Sequence, residues 1–426
     1  MPYTYRVFDS IDDVDVNAWQ RVRSEAGASI FMDPRFIAGV ESSMKQTCRF
    51  WYVIIYDDAR PVACAGLAGM TIDLAELADR RMAWLIRRIP GLSRLHQLKV
   101  LFCSLPGSPG EKSLALAQTN ESAQVLPILD GVMNDIAKET GMQVIVYKEF
   151  GESDLEWMKP LLEAGYKSIA IPPMHIFKHS FADFGEYCSA LKTRYRQQIN
   201  RSTRKLNKAG IEKVILTDAE EILKLYTPEV HAMYCQMVEK SDVKVEMLPI
   251  DYFHQTVRRL SPETDLIALF KDKKIIAFGW ALHDGPTYHM TYAGLDYRLN
   301  HEFDSYFNLM YIGFDRAFRK GVATINAGQT AAAFKARIGC DFAPLYIFAK
   351  GLGPIMSRFI YFGGGMLVVH KPSTPPLNVF KNRSVPTPRR QAHLEYREQR
   401  GGARSMLGFP RRSARATLSM AGCGSD

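Results

Sequence analysis

The sequence predicts a mixed α/β protein made of two similar α+β halves followed by a basic tail, and three observations carry that expectation. A hairpin pattern occurs twice, as RFWYVIIYDDARPVACAGLAGM over 49–70 and DLIALFKDKKIIAFGWALHDG over 265–285: an apolar strand, a charged turn, then a second strand containing a glycine. Each hairpin is followed downstream by the same order of helix, glycine, strand, helix and strand. The 426 residues are 47% hydrophobic and 23% charged, a globular balance that suits two or three folding units.

The elements follow in order along the chain. The opening MPYTYRVFDSIDD has no basic stretch leading into an apolar one, so no signal peptide is expected and the expected location is cytoplasmic. No uncharged apolar run reaches the ~18 residues of a transmembrane helix. After the first hairpin, residues 71–100 form an insertion in which Trp84, Leu85, Ile86, Ile89, Leu92 and Leu95 lie among Arg80, Arg81, Arg87, Arg88 and Arg94. That composition suits either a helix packed on its own domain or a basic amphipathic segment in peripheral contact with a membrane. Residues 125–140 then read as a helix stopped by Gly141, MQVIVYKEF as a strand, SDLEWMKPLLEAGY as a helix stopped at Gly165, and KSIAIPPMHIF as a closing strand. In the second half, 305–320, Gly321, VATINAGQT, AAAFKARIG with Gly339, and APLYIFAKG repeat that order. Glycines just past helix ends supply the left-handed residue that stops a helix. The domains expected are 1–178, 179–370 and a tail over 371–426.

Net charge is +9, but residues 381–426 hold ten Lys and Arg against three acids. The rest of the chain is therefore nearly balanced, and the basic total does not by itself indicate a nucleic-acid partner. The tail is rich in Gly, Ser and Pro and reads as mostly disordered. Seven scattered cysteines with no Cys-x-x-Cys pair read as free thiols. Carboxylates and histidines are not grouped at ligand spacing, so no metal is implied.

Three segments carry candidate chemistry. KTRYRQQINRSTRKLNKAGIEK holds eight basic residues, among them Lys192, Arg194 and Arg196, against Glu212 alone. It should be helical, with Leu191, Tyr195, Ile199 and Leu206 as an apolar stripe, and its basic surface is either a solvated face or a site for a polyanion such as a diphosphate or an RNA backbone. HMTYAGLDYRLNHEFDSYFN reads as a strand on which Tyr288, Met290 and Tyr292 alternate with His289 and Thr291, then a connection bearing Asp296, His301, Glu302 and Asp304. NAGQTAAAFKARIG offers Asn326, Gly328, Gln329, Lys335 and Gly339, a glycine-containing strand end before a small-residue helix, where a substrate can approach backbone N–H groups.

Together these segments resemble the FemAB-like branch of the GNAT acyltransferase superfamily over roughly 30–350. The matching features are FMDPRF at 31–36, LLEAGY before the closing strand of the first half, LKTRYRQQINRSTRKLNKAGI at the second-half entry, and the helix 306–321 followed by NAGQTAAAFKARIG. The resemblance implies two tandem GNAT domains with donor and acceptor held between them, and direct attack of a primary amine on an activated ester or thioester. It implies Arg194 as the phosphate contact, with Lys192 and Arg196 as alternatives. Proton handling falls to Asp296, His301 or Asp304, with Tyr292 or Tyr306 as donors to the leaving group. Asn326, Gln329 and Lys335 would line the acceptor or carbonyl end. The chain departs from ordinary GNAT enzymes in having no [Gln/Arg]-x-x-Gly-x-[Gly/Ala] pyrophosphate loop between Met1 and Lys350; LPGSPGEKS, from Leu105 to Ser113, has glycines in another pattern.

The function so implied is an N-acyltransferase that moves an acyl group from acyl-CoA or an acyl carrier to a small-molecule amine acceptor or a cell-envelope precursor. An aminoacyl-tRNA donor is the alternative, supported by the basic helix and tail. A third reading is a non-catalytic module that binds an envelope or lipid precursor.

Overall fold

The structure, a computed structural model, describes residues 3–73, 97–241, 246–363 and 377–382. Residues 74–96 of the insertion, Cys423, and the tail from 383 lie outside the described residues. Met1–Arg383 forms one compact unit.

In the first half, β1 (Thr4–Phe8), α1 (Val16–Glu25) and α2 (Pro34–Met44) lead into the hairpin β2 (Arg49–Asp57) and β3 (Arg60–Asp73). Then come β4 (Gln97–Cys103), β5 (Leu114–Leu116), α3 (Ser122–Thr140), β6 (Val144–Gly151), α4 (Lys159–Glu163) and β7 (Lys167–Lys178). The second half opens with α5 (Phe184–Ala190), α6 (Thr193–Lys208), β8 (Glu212–Leu216), α7 (Ala219–Leu225), α8 (Pro228–Lys240) and α9 (Ile250–Leu260). It continues with β9 (Thr264–Lys271), β10 (Lys274–Asp284), β11 (Thr287–Leu295), α10 (Tyr297–Phe303), α11 (Ser305–Arg319), β12 (Thr324–Asn326), α12 (Ala332–Arg337), β13 (Asp341–Gly351) and α13 (Gly353–Gly363).

Both expected hairpins form, and the turn of the second uses Asp272 and Lys273 at φ of 49° and 64°, matching the twist of the flanking strands. The helix-stopping glycines Gly141, Gly165, Gly321 and Gly339 all have positive φ. The basic segment is helical only to Lys208; Gly210, at φ 63°, ends it, and 212–216 turn into an edge strand paired with β9. The expected helix over SDLEWMKPLLEAGY shrinks to the five residues of α4, which begins beside Pro160. Residues 377–382, expected to be part of a disordered tail, are held because Val379 and Phe380 are buried apolar side chains. Phe380 bridges Leu191, and the Lys192 N–H donates to Val379 O at 2.9 Å.

A sheet of thirteen strands runs β1-β2-β3-β4-β6-β13-β7-β12-β11-β10-β9-β8, with β5 beside β3. The two halves exchange their closing strands. β13 lies antiparallel between β6 and β7, while the far end of β7 pairs with β12, Lys178 opposite Thr324. One core cluster also joins the halves, uniting Trp19, Phe31, Phe36 and Tyr52 with Tyr226, Tyr252, Phe253, Phe278 and Trp280. Behind the second-half sheet the fully buried Asp265 accepts from Arg316 Nε and Nη2 (3.0 and 3.2 Å) and from the Tyr288 hydroxyl (3.0 Å), with Lys320 at 3.7 Å. A buried carboxylate needs that number of partners to remain charged.

Candidate active site

The site grows from a parting of two parallel strands. β11 and β12 pair only from Thr287↔Thr324 to His289↔Asn326; β11 then runs on to Leu295 while the chain after Asn326 turns away. The turn is made by Gly328, whose φ is 81° and whose N–H donates to Asn326 Oδ1 at 3.1 Å. A Cβ at Gly328 would lie in ordinary contact, 3.5 Å, with both Lys335 Nζ and the Met290 carbonyl oxygen, so the turn sets the lysine beside the strand backbone and its positive φ is what favours glycine. Lys335 is 2% exposed, and burial pushes its ammonium down to about 7, where both protonation forms coexist near neutrality. His175, on β7, lies against the same turn, its Nδ1 3.0 Å from Gly328 O. Burial first and Lys335 second push His175 down to about 4, so it is neutral there.

A second cluster adjoins Asn326. A bulge opposite Trp280/Ala281 inserts Thr291, which breaks the alternation expected along β11. Tyr292 therefore packs in the shared core with Tyr234 and Phe253 instead of joining Tyr288 and Met290. His289, 3% exposed, sits edge-on to Phe31 at 5.1 Å, so the FMDPRF segment of the first half packs on a histidine of the second. Its Nε2 is 3.4 Å from Asp284 Oδ1 and its Nδ1 3.6 Å from Glu111 Oε1. Asp284 also accepts the Ile30 N–H, and Asn326 Nδ2 donates to Glu111 at 3.4 Å. Burial raises the Glu111 carboxyl above its ordinary range, against the pull of His289. A carboxylate so raised is a better proton acceptor than an exposed one. His289 stands between the two carboxylates rather than converging with them, and among the described residues no group of His, Cys, Asp and Glu is arranged to hold a metal ion.

Of the residues expected from sequence, Asn326, Gln329 and Lys335 are gathered around Gly328, with Gln329 Nε2 donating to Pro172 O at 3.0 Å. Tyr306 meets the neighbouring Phe334 ring edge-on, 5.8 Å between centroids. Asp296, His301 and Asp304 form a different group on α10 and its ends. Asp296 caps α10 and pairs with Arg298, which holds its carboxyl below the usual range. Asp304 accepts from Ser202 Oγ (2.8 Å) and Lys205 Nζ (2.9 Å), tying α6 to the start of α11, and the His301 carbonyl faces Lys205. Tyr292 donates to Gly107 O at 2.8 Å, on the loop 104–113. Lys192 and Arg194 lie at the start of α6, where Arg194 stacks on Tyr195 at 4.6 Å and bonds its hydroxyl. Arg196 faces Cys188, whose thiol burial pushes up to about 11. Arg201, Arg204 and Lys208 extend the exposed basic face of α6. At the start of α11, Tyr306 N–H is already taken by Asn300 Oδ1 at 3.0 Å, which leaves less of that helix end for a phosphate.

Sequence reasoning placed His289 in a candidate segment without giving it a role, and passed over Glu111 and Asp284. Glu111 lies in the LPGSPGEKS loop that was weighed only for phosphate, and the pairing that brings it to His289 is between halves. All six described cysteines are free. No described helix is long and apolar enough to cross a membrane.

Comparison with known proteins gives a family and a fold. A FemAB-like family model, described as peptidoglycan biosynthesis/recognition, matches residues 10–345. The crystal structure of FemX is similar with a TM-score of 0.55 at 11% identity, over 84% of this chain and 100% of that one. A tandem GNAT protein from the clavulanic acid biosynthesis pathway follows at 0.49 and 10% identity, over 83% and 99% of the chains. L-PGS from Bacillus licheniformis gives 0.48 and 9%, over 83% and 97%. No curated protein matches.

Proposed function

Because the chain belongs to the FemAB-like family, we propose that it is an N-acyltransferase that takes an acyl group from acyl-CoA or a carrier thioester and joins it to the primary amine of a small metabolite or cell-envelope precursor. The observation that supports this most is Lys335, buried beside the parted strands with its ammonium pushed down to about 7. In this reading the acceptor arrives as an ammonium and gives one proton to Glu111, assisted by His289. The amine nitrogen attacks the donor carbonyl carbon, and the C–S bond breaks with its electron pair on sulfur. Lys335 returns a proton to that sulfur, and the second nitrogen proton leaves to water. Positioned acid and base groups of this kind contribute ~10²–10⁴-fold each.

The exposed Arg201, Arg204 and Lys208 of α6 favour a second donor, aminoacyl-tRNA, whose ester would break at a C–O bond in the same geometry. The test is transfer by the purified full-length protein to a panel of amines, with acetyl-CoA, a long-chain acyl-CoA or bulk aminoacyl-tRNA as donor. Thiol release that depends on the amine and on Lys335 supports the thioester reading. Transfer from charged tRNA alone, falling steeply with salt, replaces it with the second.

A further inference from the structure

The first half holds its own strand parting, which the reaction above does not use. β4 and β6 pair in parallel up to Cys103↔Tyr147, and β6 continues through Lys148 and Glu149. There the register with β13 shifts between Tyr346 and Phe348, so two β6 residues oppose one. The bulge places Glu149 at φ 69°, a left-handed backbone that a non-glycine residue rarely adopts and that tends to mark a functional constraint. Glu149 is 4% exposed; one side of its carboxylate meets Lys148 at 3.1 Å, while Oε2 is buried with no hydrogen-bond partner. His289 Nδ1 is likewise buried with no hydrogen-bond partner.

Around these groups the charges do not balance. Glu246 is drawn to Lys148 and accepts the Gly107 N–H at 3.3 Å; burial raises its carboxyl. Gly107 O is gripped by both Tyr252 and Tyr292, each at 2.8 Å, which fixes the loop carrying Glu111. Glu149 and Asp284 both act on Glu111. Glu149 and Glu246 therefore share Lys148, and the buried Glu149 keeps one oxygen without a hydrogen bond. Buried charge left without a partner is expensive, so a cationic ligand would relieve it.

We propose, building on the transferase reading, that the acceptor is a dibasic amine: one nitrogen reacts at Glu111 and His289, and the second, kept as a cation, is bound by Glu149 and Glu246. The protein then selects diamines over monoamines.

Binding of 1,5-diaminopentane and of n-pentylamine to the full-length protein, without donor, tests this by calorimetry. The diamine should bind at least tenfold more tightly, and Glu149→Gln should remove most of that preference, weakening the diamine far more than pentylamine. Glu246→Gln, on a separate segment, should act in the same direction and covers a failure of Glu149→Gln to fold. Equal binding of the two amines by the wild-type protein overturns the proposal whatever the variants do. Acyl transfer to both amines with equal efficiency would also overturn it while leaving the transferase reading standing. Glu149-dependent diamine binding with no transfer from any donor would keep the cation site and remove the transferase.

Discussion

Replacing Lys335 by Met keeps most of the side-chain volume and removes the ammonium at the turn after Asn326. Lys335 binds its proton with a pKa of about 7 in the folded protein and about 10.5 in the unfolded chain. Below pH 7 it is charged in both states and the folded state carries the whole cost of burying the charge. Between 7 and 10.5 the unfolded chain binds more protons, so wild-type stability rises with pH; above 10.5 the lysine is neutral in both states and the cost is gone. At ~1.4 kcal/mol per pH unit, the cost relieved between pH 7 and 9.5 is about 3 kcal/mol. With an unfolding entropy of ~2.1 cal/mol/K per residue over roughly 380 residues, that corresponds to about 4 °C. The neighbours do not blur the comparison: His175 is neutral throughout, and burial keeps the Cys340 thiol protonated up to about 12. Lys335→Met should therefore be more stable than wild type at pH 6, with the gap closing as pH rises to 9.5, in paired urea or thermal unfolding series. A gap that stays constant with pH would refute a charge-burial cost at Lys335, and with it the argument that this lysine exchanges protons near neutrality.

Other substitutions test the remaining parts of the site and scaffold. Gly328→Ala forces a side chain to φ 81° and fills the space between Lys335 Nζ and Met290 O; it should cost ~1 kcal/mol of stability in unfolding and lower acyl transfer far more than that loss explains. His289→Gln should lower kcat by ~10²-fold or more, whereas Asp296→Ala should cost about 1 kcal/mol through the lost α10 cap and leave kcat near wild type. The reverse ranking in steady-state kinetics would move the reacting centre to α10. Asp265→Ala leaves Arg316 and Lys320 facing a buried gap and should cost ~3–5 kcal/mol in urea unfolding.

Much of the architecture is written in local patterns. The hairpins show as apolar runs around Asp57-Asp58 and Asp272-Lys273, and the helix ends as Gly141 and Gly321, because strand period and left-handed backbone need only a few neighbouring residues. Lys335, Asn326 and Gln329 were legible for the same reason, lying within ten residues of one glycine turn. The pairing of Glu111 with His289 was not, because it is a contact between halves that no local period encodes. The Thr291 bulge was invisible too, since HMTYAG alternates as a regular strand would; only the partner β10 shows the extra residue. One signal could have been read: the charged pair Lys148-Glu149 within the apolar strand VIVYKEF is out of place in a buried strand unless something binds it.

The traded closing strands also constrain how the protein is made. β6 ends at Gly151, but the strand that covers its edge starts only at Asp341, so roughly 190 residues must be synthesised before that edge is paired. Until then the emerging first half presents the edges of both β6 and β7, the kind of unpaired backbone that recruits other chains. A nascent chain stalled or truncated before 341 is therefore a candidate for aggregation or chaperone capture, and neither half is a natural unit for separate expression or for inheritance by fusion to another protein.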